Sequence, residues 1–312
     1  MKPRILVIAG PTASGKTTAA IRAASLLDAE IVSADARQIY RDLDIGTAKP
    51  SREERAAVPH HFIDHVGLER TYTAGEYFRE ASTRILEIFG RGKRVVVCGG
   101  SGLYVNVLIN GIFEGPYIPP AVRAALRKEF QEGGPDTLFE ELLARDPEAA
   151  RWVPKTNSPR LLRALEVCRV ADAPYSRLRG ELMPSVPYDS ILVGLRWNRA
   201  ALYERIDTRV DAMIAEGFLE EAKGLLERGE APDGVTFNTV GYKEALAYLK
   251  GNLELEPMIA RMKQHTRNYA KRQLTWFRRE TRMQWYDVKS SDEVIVAAEQ
   301  MAGRFLSLAD QT

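Results

Sequence analysis

The sequence predicts an α/β protein, a parallel sheet covered by helices, with an all-helical insertion and a helical C-terminal part. Three observations carry this. Short apolar runs rich in β-branched residues alternate with helical periodicity. The first run feeds a glycine-rich turn that opens directly onto a helix. One long middle stretch contains no strand pattern.

The strand-like runs are Ile5–Ala9, Glu30–Ala34, His61–Val66, Arg94–Cys98 and Ile191–Trp197, with helical patterns between most of them, the first over Thr18–Leu27. Nearly continuous apolar strands of this kind belong to parallel sheets buried on both faces. From about Gly115 to Tyr188 the rhythm breaks. This stretch opens on Gly-Pro-Tyr-Ile-Pro-Pro, closes on Met-Pro-Ser-Val-Pro, and carries helical patterns at Ala121–Gln131, Thr137–Ala144 and Pro159–Val170. It reads as an insertion over residues 115–188 into a core formed by 1–114 and 189–312. Beyond Trp197 come helices at Arg199–Ala215, Phe218–Arg228, Thr239–Leu249 and about Glu256–Arg279, then a strand-like Gln284–Val288 and a helix over Ser291–Leu308.

Composition bounds the rest. A chain of 312 residues with 45% hydrophobic and 28% charged residues has ordinary globular composition and length for about two domains. No window approaches a membrane span, and Met1-Lys-Pro-Arg runs straight into the first strand, so no membrane partner and a cytoplasmic location are expected. The two cysteines, Cys98 and Cys168, offer neither a disulfide framework nor a metal pair, and are expected to be buried and inert. His60, His61 and His65 mimic a metal site, but no converging acid accompanies them and a strand edge is the expected role.

The net charge of +2 hides an asymmetry. Between Arg261 and Arg282 there are eight basic residues against one acid, and between Arg151 and Arg179 seven against two. The remainder is net acidic. Such clustering suits a polyanionic partner, although two solvated helix faces would read the same way. Tyr269, Trp276 and Phe277, interleaved with the second cluster, favour a nucleic acid whose bases stack while its phosphates are neutralised.

The chemistry begins at Gly10-Pro11-Thr12-Ala13-Ser14-Gly15-Lys16-Thr17, which lies between a strand and a helix and fits Gly-x-x-x-x-Gly-Lys-Thr. Glycines let successive N–H groups point inward, the helix N-terminus adds its positive end, Lys16 can reach an outer phosphate and the Thr17 hydroxyl can hold Mg²⁺. The sheet is therefore expected to be P-loop NTPase-like, and a ligand with at least two linked phosphates is expected in the loop. Asp35 closes the second strand and should lie near that loop, since ligands sit at strand C-termini in open α/β sheets. It can act as general base, hold Mg²⁺ through water, or cap a helix. Gly99-Gly-Ser101-Gly turns from the fourth strand into another helix, and Ser101 offers a hydroxyl to the space between that turn and Asp35.

Seven motifs in series, that loop, Asp35-x-x-Gln38-x-Tyr40, Gly46-Thr-Ala-Lys-Pro50, Gly99-Gly-Ser-x-x-Tyr104, Arg160-x-x-Arg163-Ala-Leu-Glu166-Val, Val240-Gly-Tyr-Lys243 and Lys271-Arg-Gln-x-Thr-Trp-Phe-Arg278, resemble the bacterial tRNA dimethylallyltransferase family over nearly the whole chain. Ala36 stands where many relatives carry serine, and the lack of a Cys/His zinc-finger pattern like that of eukaryotic relatives makes the bacterial form the expected one.

The resemblance implies transfer of a dimethylallyl group from dimethylallyl diphosphate to the exocyclic amine of the adenosine 3′ of the anticodon, with Mg²⁺ as cofactor. It implies catalytic roles for Lys16, Thr17, Asp35 as base, and Arg209 on the diphosphate, with Arg205 at i−4 as the competing clamp. It places Asp35, Ala36, Arg37, Gln38 and Ser101 around a flipped adenine. Against the tRNA anticodon stem-loop it places Arg123; Pro159, Arg160, Leu161, Leu162 and Arg163; Asn238, Thr239, Val240, Gly241, Tyr242 and Lys243; and Lys271, Arg272, Gln273, Leu274, Thr275, Trp276, Phe277 and Arg278. Insertion and C-terminal helix would then grip the RNA from two sides, and a monomer is expected. The alternative is a nucleotide or small-metabolite kinase using the same loop for ATP. That reading leaves the basic aromatic C-terminal helix without a task.

Overall fold

The computed structural model describes residues 2–181, 184–231 and 234–309. Six strands, β1 (Arg4–Ala9), β2 (Ala29–Ser33), β3 (His60–His61), β4 (Arg94–Gly99), β5 (Asp189–Arg196) and β6 (Gln284–Asp287), form one sheet in the order β3-β2-β4-β1-β5-β6. Every pairing is parallel, with Leu6 between Val96 and Ile191 at the centre of the sheet. Parallel neighbours need crossovers, and helices supply them: α1 (Lys16–Leu27), α2 (Arg52–Ala57), α3 (Ala74–Gly90) and α4 (Gly102–Asn110).

The chain divides into two compact units, Met1–Asn110 with Val186–Thr312, and Gly111–Ser185. The smaller unit holds α5 (Pro120–Arg145), α6 (Pro147–Ala150), α7 (Ser158–Ala171) and α8 (Tyr175–Glu181). Its core gathers Leu126, Leu138, Leu142, Leu161 and Leu165. Gly134, with φ 73° and Pro135 behind it, breaks α5 into the two helices that the periodicity predicts. The larger unit continues with α9 (Arg199–Ala215), α10 (Phe218–Glu227), α11 (Tyr242–Leu249), α12 (Leu255–Phe277) and α13 (Ser291–Ala309).

The alternation of strand side chains sorts the core. Leu6, Ile8, Ile31, Val96 and Val193 meet the small face of α1 (Ala19, Ala20, Ala23, Ala24) and the Ala297, Met301 and Phe305 side of α13. Alanines on α1 let it lie close to the sheet. On the other side α3 packs on β2 and β4, and the buried Tyr77 hydroxyl finds the Ser33 carbonyl at 2.8 Å. Among the described residues no helix is long and apolar enough to cross a membrane.

Two elements depart from the sequence reading. The third strand, expected over His61–Val66, is only His60–His61. Phe62 and Asp64 take φ 64° and 54°, which ends the extended chain, and the Asp64 carboxylate is held by Lys49 and by Arg55 Nη1 at 2.6 Å. Tertiary ion pairs here override a strand-like pattern. Helix α11 begins at Tyr242 rather than Thr239 because Gly241 sits at φ 96°, outside helical space. The three histidines each meet a local oxygen instead of one another: His60 the Val58 carbonyl at 2.7 Å, His61 Glu30 at 2.6 Å and His65 Glu80 at 2.6 Å.

Candidate active site

The C-terminal ends of β1, β2 and β4 converge on a cavity of 330 Å³. From β1 comes the loop Gly10–Gly15. Helix α1 starts from Gly15 at φ 86° with no side-chain cap, so its first amides are left for an anion. From β2 comes the turn carrying Asp35, whose Oδ1 accepts the Arg37 amide at 2.9 Å and the Gln38 amide at 3.4 Å. That is the capping geometry the sequence allowed. It leaves Oδ2 without a protein hydrogen bond among the described residues and puts Asp35 in the cavity wall. From β4 comes Gly99-Gly100-Ser101. A Cβ on Gly99 would lie 2.1 Å from the Ala34 carbonyl oxygen, so only glycine lets this turn approach β2. The approach brings Ser101 Oγ to accept the Ala36 amide at 2.8 Å, which locks the two turns together.

Two cations share this wall. Among the described residues Lys16 has no carboxylate in contact; it lines the cavity with only a 3.4 Å approach to the Pro11 carbonyl. Arg209 reaches the Thr12 hydroxyl at 3.3 Å and likewise has no acidic partner among the described residues. Withdrawal from water pulls the Lys16 ammonium below its ordinary value, opposed by Cys98 and Asp35 and reinforced by Arg209. Burial lowers the Arg209 guanidinium in the same way, with Asp35 opposing and Arg205 adding to it. Two sequestered cations without a carboxylate are costly unless an anion binds between them.

Arg209 and Arg205 stand differently: Arg209 lines both the cavity and the adjoining cleft, Arg205 the cleft alone. Arg205 turns away from the cavity, donates to the Ala13 carbonyl at 3.0 Å and stacks on Trp197 at 4.3 Å. It braces the loop from the adjoining cleft, which it borders with Lys16 and Thr17. Two neighbouring acids on the same helix are engaged elsewhere, Asp207 by Arg267 at 2.6 Å and Asp211 by Lys263 at 2.6 Å.

Of the residues singled out in the sequence, Thr12, Lys16, Thr17, Asp35, Ala36, Arg37, Gln38, Ser101, Arg209, Asn238, Thr239, Val240, Arg272 and Gln273 line this one cavity. Ala13 and Gly15 border the adjoining cleft with Lys16 and Thr17. Lys271, Thr275 and Trp276 border an outer groove along α12, and Arg278 is exposed beyond it. Arg123, Arg160 and Arg163 belong to the smaller unit. Four of the side chains assigned to RNA are buried. Leu161, Tyr242 and Phe277 are fully buried in hydrophobic contacts. Gln273 is buried as well: its Oε1 accepts the Thr12 amide at 2.9 Å and its Nε2 donates to the Gly100 carbonyl at 2.9 Å. The Thr12 amide is thereby occupied, so the phosphate loop offers fewer free amides than the motif suggests.

Sequence reasoning missed the helical wall of the cavity. Ile206, Val210 and Met213 on α9, and Met262, Thr266 and Tyr269 on α12, line it at matching i, i+4, i+7 spacing. Each triplet reads as an ordinary inward helix face, and only the packing of α9 on α12 shows that both face a hollow. Burial lifts the Tyr269 hydroxyl well above its usual range, so it stays neutral beside Asp35.

A loop for linked phosphates, unpaired cations and a carboxylate in one cavity, beside a basic helix, coincide with what known proteins show. The IPP transferase family profile matches residues 38–280. The chain belongs to the IPP transferase family. It is 47% identical to the tRNA dimethylallyltransferase of Chloroherpeton thalassium over 93% of this chain and 91% of that one. Against tRNA dimethylallyltransferase 1 of Trichlorobacter lovleyi the identity is 42%, over 96% and 98% of the two chains. Among solved structures, the tRNA isopentenylpyrophosphate transferase of Bacillus halodurans superposes with TM-score 0.73 at 35% identity, covering 99% of both chains. A eukaryotic dimethylallyltransferase crystallised acting on tRNA gives TM-score 0.85 at 28% identity, over 98% of this chain and 80% of that one. The IPP transferase fold is thus the parallel sheet described above; the family's profile begins at Gln38 and runs past the end of α12, so the phosphate loop and Asp35 lie just before it.

Proposed function

We propose that the protein transfers a dimethylallyl group from dimethylallyl diphosphate to the exocyclic N6 amine of the adenosine 3′ of the anticodon in tRNA. The observation that carries this is the pairing in one cavity of two carboxylate-free cations at the phosphate loop with an Asp35 carboxylate oxygen free to take a proton. Family membership supplies the class of reaction.

In this reading the diphosphate sits against Lys16, Arg209 and the uncapped start of α1. The bond from the allylic carbon to oxygen breaks, and the charge that grows on the bridging oxygen meets those cations. The N6–carbon bond forms from the opposite side, and the N6 proton passes to Asp35. Ser101 and Gln38 hold the Asp35 turn in place. Ile206, Val210 and Met213 give the allyl group a dry wall, which excludes water from a carbon that it would otherwise capture. A base buried this deep must be flipped out of its stack, and RNA loops present unstacked bases more readily than duplexes do.

Mg²⁺ fits this donor set. The Thr17 hydroxyl is a hard oxygen donor in the cavity beside Lys16, Asp35 keeps its free oxygen for the proton, and no group of three or more His, Cys, Asp or Glu among the described residues forms a cage of its own. Magnesium typically takes few protein ligands and completes its shell with substrate phosphates and water. When bound, it supplies further neutralisation of the diphosphate. A monomer is the proposed working unit, because a bound tRNA would already occupy much of the surface. The kinase alternative has no use for the apolar α9 wall or the exposed basic stretch of α12.

The test gives the protein, Mg²⁺ and an adenosine-rich anticodon stem-loop either labelled dimethylallyl diphosphate or γ-labelled ATP. Label on RNA from the allyl donor alone is expected, and phosphate transfer without prenylated RNA would overturn the reading. Asp35→Asn is expected to lower transfer by about 10²–10⁴-fold with stem-loop affinity within threefold of the parent.

A further inference from the structure

One carboxylate outside the cavity holds part of its wall in place. Glu221, on α10, accepts three consecutive backbone amides: Asp44 at 3.1 Å and Ile45 at 2.8 Å on Oε2, and Gly46 at 3.2 Å on Oε1. The Tyr242 hydroxyl donates to the same Oε1 at 2.5 Å. Glu221 has no Lys, Arg or His partner among the described residues, so its charge is met by these four donors.

Successive amides curled around one anion form a nest, a concavity that favours negative charge and fixes the backbone that makes it. The segment they fix is part of the cavity. Gly46 and Thr47 line it, and the Thr47 and Ala48 carbonyls accept from Gln38 Nε2 at 3.1 and 2.9 Å. Gln38 lies three residues from Asp35 and borders the cavity beside it. The seat is tight as well as polar. A Cβ on Gly46 would fall 2.5 Å from both the Phe218 and Tyr242 rings. The segment's internal bonds, Thr47 hydroxyl to the Leu43 carbonyl and the Ala48 amide to the Ile45 carbonyl, shape it but do not attach it to the helices. Glu221 does, and through Tyr242 it ties the same point to the Asn238–Val240 stretch that forms another part of the wall.

We infer that Glu221 is a positioning residue: it pins the 44–48 segment, and with it Gln38, so that the acceptor base is held in line with the donor. The inference rests on the proposed transfer reaction for its kinetic consequence, but not for the attachment itself. The segment borders the cavity and cleft beside Lys16 and Thr17, but among the described residues no hydrogen bond joins it to the phosphate loop, so the loss is expected to fall mainly on the acceptor.

Two variants test it. Glu221→Ala removes all four bonds; Glu221→Gln keeps one acceptor oxygen and opposes the remaining N–H donors with an amide, a graded break. For Glu221→Ala, KM for the stem-loop is expected to rise at least tenfold, with pyrophosphate affinity within twofold of the parent, a displacement effect of the size that small misplacements produce. Glu221→Gln should fall between. Hydrogen exchange of peptides covering residues 44–48 should accelerate in both variants, in the order Ala then Gln. Unchanged exchange there, an unchanged KM, or an equal loss of pyrophosphate binding would each overturn the inference. Should the parent protein fail to prenylate RNA, the transfer reading fails, and the exchange measurement still decides whether Glu221 holds the segment.

Discussion

The two basic clusters read alike in the sequence and differ in the structure. In the smaller unit four of the seven cations are paired locally: Arg169 with Glu129 at 2.6 Å and with Glu141, Lys155 with Asp136 at 2.7 Å, Arg163 with Glu166 at 3.5 Å and Arg177 with Glu181 at 2.9 Å. Along α12 and its C-terminal extension Lys263, Arg267 and Arg282 are paired, whereas Lys271, Arg272, Arg278 and Arg279 are exposed with no carboxylate partner among the described residues. One cluster spends its charge inward on helix packing. The other keeps it for solvent, or for a ligand. A count of lysines and arginines measures neither, because the acids that cancel them come from distant segments.

Tests that would break this contrast run from large effects to small. Lys271→Ala with Arg272→Ala should weaken stem-loop binding by about tenfold or more and reduce the slope of log K against log salt by roughly 1.5, as expected for two lost phosphate contacts. An unchanged slope would put this face in solvent. Arg169→Ala should do the reverse. It leaves Glu129 without its cation and Glu141 with Arg145 alone, and should destabilise the smaller unit by about 1–2 kcal/mol once the exposure of Glu129 is allowed for, with the salt slope unchanged. Thermal unfolding and filter binding on the same preparation separate the two.

Acid titration sharpens the contrast further. Hydrogen bonds to Arg169 hold the Glu141 and Glu129 carboxyls below their ordinary values. A carboxylate depressed in the folded state contributes stability that is fully present above its unfolded value, about 4.3, and is lost as pH falls through the folded one. Hydrogen exchange in peptides from residues 111–185 should therefore accelerate as pH falls below about 4 after correction for intrinsic rates, and Arg169→Ala should flatten that response. The smallest effect expected is from Arg160→Ala. Arg160 is exposed and without a carboxylate partner among the described residues, so binding should weaken by about two- to threefold with a slope change below 1. A loss as large as that of the α12 double variant would erase the distinction between the clusters.

What the sequence could and could not show follows the same logic of range. The phosphate loop, the Asp35 turn and Gly99-Gly-Ser101 were legible because each is a short run whose residue types are demanded by its own backbone. The central strands were legible because burial on both faces leaves a continuous apolar signature. The third strand was misread because Asp64 bends away to meet Lys49 and Arg55, partners 15 and 9 residues off. The α9 and α12 walls were invisible for a different reason: a helix face turned to a cavity has the same period as one turned to a core. Glu221 offers no local signal at all, since its four donors lie in residues 44–46 and 242.

Helix α12 is, in the end, a part with a rewritable side and a fixed side. Gln273 fastens it to the Thr12 amide and the Gly100 carbonyl, while Ala270 and Phe277, three and four residues either way, are fully buried. Positions 271, 275 and 278 point outward, while Arg272 is exposed at the rim of the cavity. Anyone wishing to redirect the protein toward another nucleic acid can therefore edit the outward positions one at a time. A change at 273 would redraw both ends of the machine at once.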